Sequence, residues 1–85
     1  MKTAKEFFEE LGYEMVKQGK NRLVYIYEDK IQHIMFDLKY KTIDCYEKGH
    51  DSDGFNAIFP MTICVKELQA INKQVEELGW LDEKD

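Results

Sequence analysis

The chain is 85 residues long, 44% hydrophobic and 13% aromatic, with a formal charge of -5. That length makes a single domain, residues 1–85, burying only roughly 60% of the surface its unfolded form exposes, and the apolar share excludes a disordered chain. The negative charge argues against a general affinity for nucleic-acid phosphates, which depends on Lys and Arg displacing counterions.

From the start, Met1-Lys2-Thr3-Ala4-Lys5-Glu6 runs into charge without the apolar region of a secretory leader, and nowhere do ~18 apolar residues come together. The expectation is a cytoplasmic protein with no membrane association. Thr3 and Glu6 have the spacing of a capping box, and Phe7, Phe8 and Leu11 give a short helix an apolar side before Gly12 stops it. Beyond Gly12 the pattern changes to strands: Tyr13 to Lys17, Arg22 to Tyr27, Ile31 to Asp37 and Thr42 to Glu47. Their connections are short, so neighbours pair antiparallel as a meander. If Asp29-Lys30 is a two-residue turn, Tyr25 lies opposite Ile34 and Leu23 opposite Phe36. Those four then share one face, and Val24, Ile26, His33 and Met35 share the other; a slip of one residue exchanges the sets.

Lys48 to Gly54 reads as a polar loop. Phe55 to Phe59 is apolar again, and Pro60 limits it to a fifth, edge strand or an arm laid across the sheet. Val65, Leu68, Ile71, Val75 and Leu78 recur at helical spacing and predict a closing helix with Cys64 as N-cap and Glu67 at N3. Ile63 and Leu68 occupy the positions of a hydrophobic staple. Gly79 and Trp80 have the pattern of a Schellman stop, and Asp82 to Asp85 form a frayed, solvated tail. The fold class is therefore α+β: a four-stranded antiparallel meander, with Phe55 to Phe59 as a candidate fifth strand, flanked by two helices in the order α-β-β-β-β-α.

Few residues point to chemistry. His50, Asp51 and Asp53 gather ligand-type side chains, but the glycine spacing is not that of a calcium loop, and Asp, Ser and Gly serve turns. Cys45 and Cys64 lack Cys-x-x-Cys spacing and imply neither a disulfide framework nor a zinc site. A helix N-terminus favours a thiolate, which singles out Cys64, although free cysteines mostly pack as small hydrophobes. Tyr25, Tyr27, Tyr40 and Tyr46 with Lys39, Lys41 and Lys48 would suit single-stranded nucleic acid if they shared a sheet face. No phosphate loop, nucleophile elbow or metal helix is present, and the expectation is no catalytic, cofactor or metal residue.

Geometry supplies the stronger expectation. Two helices packed ~8–10 Å apart span about four strands at ~4.8 Å spacing, so they roof one face of the sheet. The second face should then be polar, and it is not, which marks an interaction surface carried by Val24, Ile26, His33, Met35 and Tyr46. Two arrangements would remove it: Phe55 to Phe59 folded across the patch, or one helix on each face.

Three stretches, Phe7-Phe8-Glu9-Glu10-Leu11-Gly12-Tyr13, Ile34-Met35-Phe36-Asp37 with Lys41-Thr42-Ile43, and Glu67 through Trp80, resemble small uncharacterised proteins encoded by phages and prophages of Gram-positive bacteria. The resemblance covers most of the chain, consists of structural residues and supplies no catalytic ones. It implies a non-catalytic accessory protein working in the host cytoplasm. Its expected mode of action is protein–protein contact, as a homodimer or by docking on a host or phage protein. A small enzyme or metal protein using Cys64 or the His50 to Asp53 loop, and a binder of single-stranded nucleic acid, are the competing expectations.

Overall fold

Residues 2–17, 19–50 and 56–81 are described by the structure, a computed structural model. They form α1 (Ala4–Glu10), β1 (Tyr13–Lys17), β2 (Arg22–Tyr27), β3 (Gln32–Asp37), β4 (Thr42–His50), β5 (Asn56–Pro60) and α2 (Val65–Glu77). The five strands make one antiparallel sheet in sequential order, so the element order is α-β-β-β-β-β-α rather than the four-stranded version. The predicted tail, 82–85, positions 51–54 of the predicted loop and Phe55 of the predicted fifth strand lie outside the described residues.

Local chemistry sets the helix ends. Thr3 Oγ1 accepts from the Glu6 N–H at 3.2 Å and the Glu6 carboxylate accepts from the Thr3 N–H at 2.8 Å, closing the capping box of α1. At the far end Gly12 adopts φ 96°, and a Cβ there would sit 2.8 Å from the Tyr27 ring. Only glycine satisfies both the conformation and the close approach. In α2 the Trp80 N–H donates to the Val75 carbonyl at 3.1 Å and Gly79 to Glu76 at 3.0 Å, the two bonds of a Schellman stop.

The register is the preferred one, Tyr25 with Ile34 and Leu23 with Phe36, although the bend is centred on Glu28 and Asp29, with the Lys30 N–H donating to the Tyr27 carbonyl at 2.8 Å. No Asn-Gly pair is needed, because lysines take the left-handed positions, Lys30 at φ 64° and Lys41 at φ 57°. Each turn is tied by an aspartate. Asp29 accepts from the backbone of Ile31 and Gln32, and Asp37 from Lys39 and Tyr40.

Strand β4 continues past Glu47 to His50, where a loop was expected. The Lys48 N–H donates to the Ile31 carbonyl at 2.8 Å, holding the strand to β3. Gly49 is tolerated because the Phe59 ring of β5 lies 3.4 Å from where its Cβ would be and fills that space.

Both helices pack on the Tyr25 side of the sheet. Phe8 of α1 stacks on Tyr25 with ring centroids 3.8 Å apart, and the core is completed by Tyr13, Ile34, Phe36, Ala70, Ile71 and Val75. The helices run antiparallel. The Ala4 N–H at the start of α1 donates to Glu77 at the end of α2, while Tyr13, just after α1, donates its hydroxyl to Glu67 in the first turn of α2.

The face that α2 buries keeps Ile71, Val75 and Leu78 of the apolar stripe read from its sequence and departs from it at the start of the helix. Val65 and Leu68 remain 69% and 45% exposed, and the sheet is met by Ala70, Ile71, Gln74 and Val75. The cause is polar. Tyr13 and Tyr25 project hydroxyls toward α2, and the helix is turned so that Glu67 and Gln74, two turns apart, accept from them. Leu68 is left partly exposed by the same rotation, while Ile63 packs on the core.

Candidate interaction surface

The alternation of the strands decides which residues oppose the helices. Successive residues point to opposite faces, so with Tyr25, Ile34 and Phe36 inward, the outer face carries Val16 of β1, Val24 and Ile26 of β2, His33 and Met35 of β3, Tyr46 of β4 and Ile58 of β5. Among the described residues no helix or loop crosses this face. Strand β5 extends the sheet beside β4 instead of folding over it, and both helices lie on the far side.

The five residues named from the sequence, Val24, Ile26, His33, Met35 and Tyr46, are brought together on this one face. They are not equally available. Val24 is 1% exposed and His33 7%, so both are already buried by the chain itself. Val24 lies in the central strand row between Val16 and Met35. His33 is fixed twice: its Nδ1–H donates to the Ile31 carbonyl at 2.8 Å, and its ring stacks on Tyr46 at 5.2 Å with planes 8° apart. Ile26, Met35 and Tyr46 remain half-buried.

Sequence reasoning missed Ile58, which is 69% exposed and sits beside the others. Together with Met35, Asp44, Cys45 and Tyr46 it lines a shallow depression of about 330 Å³. The signal was present in Pro60: once the run before it is an edge strand, its alternation sets Ile58 on the face of Tyr46. Charged and polar residues stand around the apolar centre, with Arg22, Asp37 and Thr42 in one row and Glu14, Asp44 and Lys48 toward the margins. An apolar middle with a polar rim is the usual anatomy of a protein interface. The Tyr46 phenol is pushed up by burial and by the Asp44 carboxylate, with Arg22 opposing.

The residues offered for other chemistries are dispersed. Cys45 faces the helices, on the opposite side of the sheet from His33, and burial together with Glu67 and Asp44 pushes its thiol up. Cys64 is exposed at the start of α2, where its N–H donates to Glu67 at 2.7 Å. Asp51 and Asp53 lie outside the described residues. Among the described residues, no group of three or more His, Cys, Asp or Glu is placed to hold a metal ion. The tyrosines do not form one stacking platform. Tyr25 and Tyr27 face the helices, Tyr46 faces the other way, and Tyr40 projects from the β3–β4 turn under Lys39. Among the described residues, no helix is long and apolar enough to cross a membrane. No family model matches this chain, and no curated protein or solved structure is similar to it.

Proposed function

We propose that this chain is a non-catalytic protein–protein interaction module that binds a protein partner through the open face of its sheet. One observation carries the reading: both helices lie on the Tyr25 side, and the opposite face, left without a covering element among the described residues, is apolar at Ile26, Met35, Tyr46 and Ile58. An antiparallel sheet that is to stay in water is normally polar on its outer side, and a contiguous apolar patch on a small protein is normally used. The resemblance to phage and prophage sequences extends the proposal to an accessory protein acting in the cytoplasm of a bacterial host.

The test is capture from a bacterial lysate with tagged wild-type protein and with Met35→Asp, both checked for fold by circular dichroism. Met35 is half-buried at the middle of the face, so a carboxylate there spoils an apolar contact without entering the core. The wild type is expected to retain a discrete protein that Met35→Asp loses at least tenfold. Retention of the same protein by both, or of nothing by either, would overturn the proposal.

A further inference from the structure

Among the described residues, β5 is an edge strand with no strand paired to its outer side. In an antiparallel sheet the backbone N–H and C=O of alternate residues point to opposite neighbours. The Lys48 N–H is directed at Ile31, just before β3, so Lys48 turns no hydrogen-bonding groups toward β5. Its partner in the β4–β5 register, Ile58, therefore directs N–H and C=O away from the sheet, and the backbone of Asn56 and Pro60, paired with His50 and Tyr46, does the same. Pro60 agrees with this phase, because proline, which has no N–H, fits a strand only where that group would face outward. Phe59 and Ala57, in the intervening positions, are the residues bonded to β4.

Natural sheets protect such edges with charge, bulges or a covering element. The other edge strand, β1, carries the exposed carboxylate of Glu14, 3.9 Å from the Lys30 ammonium. The β5 sequence, Asn56-Ala57-Ile58-Phe59-Pro60, contains no charged residue, and Ile58 and Phe59 are both exposed. A two-fold axis places like residues beside one another, which a charged strand resists and a neutral one allows.

From this alternation of backbone groups and the absence of charge we infer that two copies of the chain pair antiparallel through β5. In the register centred on Ile58, each Ile58 N–H donates to the Ile58 carbonyl of the other copy, and each Asn56 N–H donates to the other's Pro60 carbonyl. The Asn56 carbonyl, opposite the proline nitrogen, is left to water at the end of the ladder. The exposed Ile58 side chains become a direct cross-strand pair on the open face, so the two sheets run on as one, with all helices on one side and the two open faces merged on the other.

The decisive variant is Ile58→Pro. It removes an N–H that points outward and leaves the β4–β5 bonds at Ala57 and Phe59 in place. Sedimentation equilibrium from roughly 1 µM to 1 mM, the span of weak specific association, is expected to show a monomer–dimer equilibrium for the wild type and for Ile58→Val, which keeps the N–H. For Ile58→Pro, with an unchanged circular dichroism spectrum, it is expected to show monomer only. Should Ile58→Pro unfold, hydrogen exchange on the wild type decides instead: the Ile58 amide is expected to slow at least tenfold between the lowest and highest concentrations, while the outward Met15 amide of β1 does not. Met35→Asp acts on the face and is expected to leave the dimer intact, which separates failure here from failure of the face reading. A wild type that stays monomeric throughout, a dimer that survives Ile58→Pro, an Ile58 amide indifferent to concentration, or a dimer broken by Met35→Asp would each overturn the inference.

Discussion

Tyr25 shows how one side chain couples the sheet to the helix above it. Its ring stacks on Phe8, and its hydroxyl donates to Gln74 Oε1 at 2.6 Å in the interior. Burial, with smaller contributions from Glu77 and Glu9, pushes its phenol up to about 12 from an ordinary value of 10.0. The unfolded chain therefore ionises this group near pH 10 while the folded chain holds the proton to about pH 12. The stability it confers is complete below pH 10 and is lost as the pH rises between those values. Urea titrations from pH 8 to about pH 12 should show the wild type weakening across that window, and Tyr25→Phe weakening less steeply. Tyr13, pushed up by burial and by its bond to Glu67, contributes with the same sign, so the slope is reduced and not abolished. At neutral pH the substitution should cost about 1–3 kcal/mol, because the Gln74 oxygen is left buried without its donor. Equal pH slopes for the two proteins would contradict this account. Hydroxyls of this kind are also why the start of α2 was not legible: counting Val65 and Leu68 sees apolar area, not a tyrosine that needs an acceptor.

The elements themselves were largely legible because their ends are set by short-range chemistry. The capping box at Thr3 and the Schellman stop at Gly79 rest on residues that can do little else. The turns were less so, since Lys30 and Lys41 adopt a left-handed conformation that neither residue type advertises. That conformation costs a non-glycine residue roughly 1–2 kcal/mol, partly offset by glycine's greater freedom in the unfolded chain. Lys41→Gly is thus expected to stabilise the protein by about 0.5–1 kcal/mol in urea denaturation, and Lys41→Val, β-branched at the same position, to destabilise it. A destabilising Lys41→Gly would mean that the lysine side chain contributes more than its backbone strain removes. Strand β4 outran its expected end for a reason beyond local reading: Gly49 is a strand residue only because Phe59, ten positions later, lies over it.

For the molecule as a whole, the width of two helices determined the outcome. They roof the Tyr25 face, and among the described residues no element crosses the other. Which residues share a face followed from the preferred β2–β3 register; that Val24 and His33 would be buried on the side away from the helices did not, because it depends on side chains gathered from neighbouring strands. The partly or largely exposed side chains of Ile26, Met35, Tyr46 and Ile58 lie on the face away from the helices. The measurement that bears most directly on their role is site-specific photo-crosslinking in bacterial cells, with the reactive amino acid at position 35 on the open face or at position 5 on the exposed side of α1. A discrete higher-mass adduct from position 35 and none from position 5 is the expected result; no adduct from position 35, or the same adduct from both, would contradict the assignment of this face to partner binding.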